Sequence, residues 1–208
     1  MQRIDHPEMT LVDLLRHGVP VGGQRYRGHL DDPLSEEGWA QMWAAVGEAC
    51  PWEVIVTSPL TRCAAFAQAL GERHGRPVEV EEGLREISFG DWEGRHVREI
   101  LAETPEEVQR YWLDPVRHTP PGAEPLADFR ERVVEAWGRV IRRHGGRHVL
   151  IVGHGGLIRA LLTHALQMPL AAVLRLEVPN AGMTRLRVQA DVNGDPAPSL
   201  VFHARTRP

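Results

Sequence analysis

The period of the hydrophobic positions changes several times along the chain, and each change marks an element. Leu11–Leu15 is a short, mostly apolar run that stops at Arg16-His17-Gly18. Such a run predicts a buried strand entering a loop. Val19 to Leu34 is polar and glycine-rich and predicts the loop itself. From Ser35 the period becomes helical, with Trp39, Met42, Trp43 and Val46 on one face. Ser35 is the predicted N-cap, and Glu36 and Glu37 fill the first turn, where the helix dipole favours acid. Glu53–Thr57 predicts a second strand. Ser58-Pro59 then predicts an N-cap and a first-turn proline, opening a helix with Leu60, Cys63, Ala67 and Leu70 on one face. That helix ends near Gly75, and Val78–Val80 predicts a third strand.

The stretch from Glu86 to Pro125 is less regular. It predicts two short helices, around Val97–Ala102 and Pro105–Trp112, then a proline-rich turn at Thr119-Pro120-Pro121-Gly122. A long helix follows, apolar at Leu126, Phe129, Val133, Trp137, Val140 and Ile141, and stops at His144-Gly145-Gly146. His148–Val152 predicts a strand running into Gly153-His154-Gly155-Gly156 and then a helix through Ala165. Met183–Gln189 and Leu200–Ala204 predict two further strands. Strands alternating with helices predict an α/β sandwich with a mainly parallel sheet, and the irregular stretch about 86–125 reads as an insertion over one end of it. At 208 residues the whole chain, 1–208, suits one domain.

Composition narrows the chemistry. All 24 basic side chains are arginine; there is no lysine. That excludes a Schiff-base lysine, a Ser-Lys dyad and a G-x-x-x-x-G-K-[ST] phosphate loop. The net charge of -4 and the lack of a sustained basic block argue against a nucleic-acid partner. No apolar run reaches the length of a membrane span. Met1–Thr10 has no apolar core of signal-peptide length, so a cytoplasmic protein is expected. Cys50 and Cys63 sit in apolar helical patterns and are expected to be buried free thiols.

In open parallel sheets, ligands bind outside the carboxyl ends of the strands. Three predicted strand-to-loop junctions carry unusual residues: Arg16-His17-Gly18, Thr57-Ser58-Pro59 leading to Arg62, and Gly153-His154-Gly155-Gly156. If those strands are neighbours, two histidines and two arginines converge. Such a cluster suits a phosphate dianion, because the arginine fork matches phosphate oxygens bidentately. Helix N-termini after Ser58 and Gly156 are expected to add N–H donors. Each motif alone is weak: an R-H-G tripeptide is common by chance, and G-H-G-G is often only a corner. Their joint placement carries the argument. A dinucleotide-binding module lacks its G-x-G-x-x-G after the first strand. A metal hydrolase built on His17 and His154 lacks a nearby ligand pair.

The motifs resemble the histidine phosphatase superfamily, also called phosphoglycerate mutase-like. The matching residues are Leu14–Gly18, Gly28–Ser35 with Gly38, and Thr57–Leu60 with Arg62. Leu84-Arg85-Glu86 with Phe89–Gly94, and Gly153–Gly156 with Ile158-Arg159, complete them. They run in family order over about residues 11 to 190. The resemblance implies a three-layer α/β/α sandwich with a small helical cap. It implies that His17 is the nucleophile taking the phosphoryl group, that Arg16, Arg62 and a protonated His154 bind the phosphate with Gly155, and that Glu86 is the general acid. It implies no cofactor and no metal.

Two departures stand out. Val19–Gly23 occupies the stretch where many relatives carry Glu-Thr or Glu-Ser and then a phosphate-touching asparagine, and no asparagine precedes Asn180. Gln24, Arg25 and Arg27 are the candidates to replace that contact. Ala123 and Pro125 replace a glycine and a serine of the family's Pro-Pro-Gly-Gly-Glu-Ser-Leu stretch. The mutase branch grips its substrate partly with cap lysine; here the cap has only Arg95, Arg98, Arg110 and Arg117. The resemblance is therefore to the phosphatase branch, α-ribazole phosphatases in particular. The expected partner is a small phosphorylated metabolite, with α-ribazole 5′-phosphate as a candidate and a homodimer as the candidate assembly. Mutase-type transfer and a non-catalytic phosphate-binding relative are the alternatives.

Overall fold

The apolar runs of the central strands bury in both directions, as strands of a parallel sheet do. Val12, Leu14, Val54, Val56, Val149 and Ile151 pack to one side; Leu15, Ile55, Leu150 and Val152 pack to the other. In the computed structural model, residues 9–190 and 194–206 are described, so most of Met1–Thr10 lies outside the described residues. The strands are β1 (Thr10–Arg16), β2 (Val54–Thr57), β3 (Val78–Val80), β4 (His148–Gly153), β5 (Met183–Ala190) and β6 (Pro196–Arg205). They form one sheet in the order β3-β2-β4-β1-β5-β6. β3, β2, β4 and β1 are parallel, and β5 and β6 add antiparallel pairs at one edge.

Helices α5 (Leu126–Arg143) and α6 (Gly155–Ala165) cover the first face through Phe129, Val133, Trp137 and Leu161. Helices α1 (Glu36–Val46) and α2 (Thr61–His74) cover the second through Met42, Phe66 and Leu70. The result is a three-layer α/β/α sandwich. Between β3 and α5 lie α3 (Val97–Glu103) and α4 (Pro105–Leu113), which share a small core of Trp92, Ile100, Val108 and Tyr111. Arg132 of α5 ties this segment down. It pairs with Glu124 at 2.8 Å and donates to the Gly83 and Arg85 carbonyls at 3.0 Å each, immediately before Glu86.

The register sets what the fold can do. Arg16 lies opposite Gly153, and Thr57 opposite Val152. The ladder continues one residue further: His17 N–H donates to the Gly153 carbonyl (2.9 Å) and Ser58 N–H to the Val152 carbonyl (3.0 Å). The ends of β1, β4 and β2 are therefore level.

Three expectations change. Helix α2 begins at Thr61 with Leu60 at its N-cap, not at Ser58-Pro59. Asp31 accepts from Thr61 N–H and Oγ1–H at 2.7 Å each, so the loop caps this helix, while Ser58 Oγ accepts from Leu60 N–H at 3.3 Å. Strand β6 is longer than Leu200–Ala204 and takes in Pro196 and Pro198, which an edge strand tolerates because one row of its N–H groups needs no partner. Cys50 lies past the end of α1, in a loop, because Gly47 closes that helix.

One charge interrupts the sheet. Asp13 of β1 is fully buried and accepts from Trp52 Nε1 (2.7 Å), His148 Nε2 (2.9 Å) and Arg185 Nε and Nη2 (2.7 and 2.9 Å). Burial alone would push its carboxyl up. The hydrogen bonds from Arg185, His148 and Trp52 outweigh it and hold the carboxyl below its ordinary value. Removing one partner of such a buried set leaves the others uncompensated, so Asp13→Ala should cost about 3 kcal/mol in chemical denaturation. A depressed carboxyl stabilises the fold above the unfolded value of about 3.9 and loses that contribution as pH falls below it. The fall in stability on acidification should be shallower in Asp13→Asn than in the wild type, read from denaturation midpoints across that range.

Candidate active site

The level strand ends bring the predicted residues together. His17 continues β1, His154 follows β4 as the N-cap of α6, and Ser58 continues β2. The rings of His17 and His154 meet edge-on, 5.3 Å between centroids. Arg62, the second residue of α2, is almost fully buried, with Nη1 and Nη2 donating at 2.8 Å to the Leu30 and Gly28 carbonyls. Arg16 donates through Nη1 to the Val178 carbonyl at 2.5 Å. The Nε atoms of Arg16 and Arg62 are buried and have no hydrogen-bond partner among the described residues. Leaving such N–H groups unmet is costly, so both are available to an anion that enters between them.

His17 Nδ1 donates to the Gly18 carbonyl at 2.8 Å. A carbonyl can only accept, so Nδ1 carries the proton and Nε2 carries the lone pair. Burial, then the Arg16 and Arg62 charges, hold His17 well below the usual imidazole value despite the Gly18 hydrogen bond. His154 is held low by burial and by Arg62, His17 and Arg16. A charged His154, expected from the resemblance, would be a further cation beside two guanidiniums and away from water, which is costly without an anion between them. His154 Nε2 shares a 2.7 Å hydrogen bond with Ser58 Oγ, and Cys63 Sγ packs 3.6 Å from the same nitrogen. Burial raises the Cys63 thiol, so it remains protonated. Burial lowers the Arg16 guanidinium to about 10, with Arg159, Arg62 and Arg27 adding to the effect against Glu86.

Glu86 lies on the N-terminus of α6. It accepts from Gly156 N–H at 2.9 Å and Leu157 N–H at 3.2 Å, and from Ile87 N–H at 3.1 Å. A Cβ on Gly156 would lie 2.4 Å from Glu86 Oε1, so only glycine admits the carboxylate here. The helix donors expected to face a phosphate are thus already occupied, at α6 by Glu86 and at α2 by Asp31. Gln24, Arg25 and Arg27 line a cavity of about 390 Å3 together with Arg16, His17, Arg62 and Glu86. Arg25 and Arg27 both pair with Asp32, at 2.7 and 3.1 Å, which spends much of their charge.

Two contacts had no sequence signal. Asn180 Nδ2 donates to the His17 carbonyl at 3.1 Å, and His29 Nε2 donates to the Glu86 carbonyl at 3.0 Å. Both act on backbone oxygens from distant loops, which leave no local pattern. Among the described residues, no group of three or more His, Cys, Asp or Glu is placed to hold a metal ion.

A model of the histidine phosphatase superfamily (branch 1) matches residues 12–193. The chain belongs to this family. As a histidine phosphatase superfamily member it is 33% identical over 195 residues to the glucosyl-3-phosphoglycerate phosphatase of Mycolicibacterium vanbaalenii, covering 88% of this chain and 86% of that protein. It superposes on a mycobacterial glucosyl-3-phosphoglycerate phosphatase with a TM-score of 0.83 at 32% identity, covering 94% of this chain and 99% of the other. The fold is shared with the α-ribazole phosphatase of Shigella flexneri, with a TM-score of 0.79 at 23% identity over 95% of this chain and 97% of that one.

Histidine spectra of the 15N-labelled protein should show His17 as the Nδ1–H tautomer. His17 and His154 should stay neutral on acidification from about pH 8 to about pH 6, across which an ordinary imidazole near 6.5 takes up its proton. A His17 that charges within this window would contradict the electrostatics described.

Proposed function

We propose that the protein hydrolyses small-molecule phosphomonoesters through a phosphohistidine on His17. The observation that carries this reading is the His17 tautomer: a neutral ring with its Nε2 lone pair free, on a residue lining the cavity beside the unpartnered Nε groups of Arg16 and Arg62. A neutral imidazole is a competent nucleophile, and phosphoryl transfer otherwise asks mainly for in-line placement and positive charge around the equatorial oxygens. Nε2 attacks phosphorus, the ester P–O bond breaks, and protonated Glu86 gives its proton to the leaving oxygen. Water then attacks the phosphohistidine, the Glu86 carboxylate takes its proton, and the P–N bond breaks to release inorganic phosphate and neutral His17. Arg16 and Arg62 hold the oxygens, His154 hydrogen-bonds one of them, and Gly155 leaves room for them.

Segment 86–125 acts as the cap over this site: Phe89, Tyr111 and Trp112 form part of the cavity wall. A mutase would need cations in this cap. Of its four arginines, Arg95, Arg110 and Arg117 pair with Glu103, Glu106 and Asp114, and none of the four lines the cavity. This favours hydrolysis over transfer. The substrates to compare are α-ribazole 5′-phosphate and glucosyl-3-phosphoglycerate, the second suggested by the relatives. Two free thiols fit a reducing, cytoplasmic setting, and no helix among the described residues is long and apolar enough to cross a membrane. The outer edge of β6, where Val201 is bare, is the face proposed for a homodimer.

His17→Ala should abolish turnover, by about 1000-fold or more, while leaving the fold intact by circular dichroism. Acid quenching should destroy the phosphoenzyme and alkaline quenching preserve it; the reverse stability would mean a phosphoserine. Glu86→Gln should slow alkyl phosphates more than p-nitrophenyl phosphate, because a good leaving group needs little protonation. Equal losses would remove Glu86 from the acid role.

A further inference from the structure

One cation in the cavity has no task in phosphoryl transfer. Five arginines line it: Arg16, Arg25, Arg27, Arg62 and Arg159. Arg25 and Arg27 both pair with Asp32, and Arg16 and Arg62 face the phosphoryl dianion. Arg159 remains. Only its Nε is engaged, donating to the Leu176 carbonyl at 2.7 Å, and both Nη groups are free of partners among the described residues. Its position is specific. A Cβ on Gly155 would lie 3.2 Å from Arg159 Nη1 and 3.3 Å from Arg16 Nε, so the missing side chain lets the two guanidiniums close over one point. Arg16 reaches that point from the phosphate side. Arg159 reaches it from the wall formed by Val173 and Leu174, two residues before its Leu176 anchor. That wall is apolar, and Tyr111, Trp112 and Phe129 also line the cavity.

Resting on the phosphatase reading, we infer that Arg159 binds a second acidic group, carried by the leaving group of the substrate. The substrate class is a phosphomonoester whose leaving group has an apolar or ring-shaped body and a carboxylate or other anion beyond it. The apolar wall takes the body, and Arg159 takes the anion in its bidentate fork. The Arg16 and Arg159 guanidiniums converge over Gly155 and repel each other, and a second anion on the substrate, paired with Arg159, relieves that repulsion.

The test compares 4-carboxyphenyl phosphate with its neutral isostere, 4-carbamoylphenyl phosphate, in wild type and Arg159→Met. Wild type should favour the carboxylated ester in kcat/KM by about tenfold, the worth of one charge-assisted hydrogen bond. Arg159→Met should bring the ratio near unity, chiefly through KM of the carboxylated ester. Arg159→Gln can still donate to Leu176 and should give the same ratio if the Met variant does not fold. Equal losses on both esters would place Arg159 on the phosphoryl group and overturn the inference, as would a wild type without preference or an unchanged ratio. A wild type that hydrolyses neither ester would instead sink the phosphatase reading itself.

Discussion

The placement of β4 between β1 and β2 governs the rest of the molecule. Because the pairings are parallel and in register, Arg16, Gly153 and Thr57 end at one level, and the next backbone donors, His17 N–H and Ser58 N–H, still bond to β4. The two histidines and the Ser58 hydroxyl are thereby fixed by the ladder rather than by loop conformation. A slip of one residue would turn every side chain to the other face, and the two hydrophobic layers forbid it. Burial of Leu14 and Leu15 on opposite faces is thus also what aims His17.

That rigidity lets the site hold an arrangement that water would not allow. Guanidiniums and imidazoles are packed together, and the imidazoles respond by giving up their protons. Neutral His17 is the form the proposed nucleophile needs, so the crowding that costs stability favours the proposed chemistry. Glu86 sits where a helix N-terminus would otherwise attract an anion. Its side chain meets the donors of α6, and the backbone just before it is held by Arg132 of α5 through the Gly83 and Arg85 carbonyls, so its position depends on both helices.

Much of this was legible from residue pattern. The strands and helices follow periodicity, and the motifs around His17, Arg62, Glu86 and His154 mark one end of the sheet. Where pattern reading failed, a distant group had replaced a local one. Ser58 looked like the helix cap because Ser-Pro usually is; Asp31 caps Thr61 from another loop, and Ser58 Oγ joins Leu60 N–H to His154. His29 and Asn180 hold backbone carbonyls of Glu86 and His17, contacts that leave no spacing to read.

The sequence by itself determined the alternating elements, the two-sided burial of the central strands and the set of groups able to handle phosphate without lysine, because these depend on residue type and local period. Only the tertiary structure decided their charge states and their partners. Arg25 and Arg27 are cations in any sequence reading, but folding places both on Asp32; Arg159 is one arginine of 24 until folding sets it against Arg16 over Gly155. His154 is neutral because of what surrounds it once water is excluded. Electrostatic energy depends on distance and on burial, and neither exists until the chain has closed on itself.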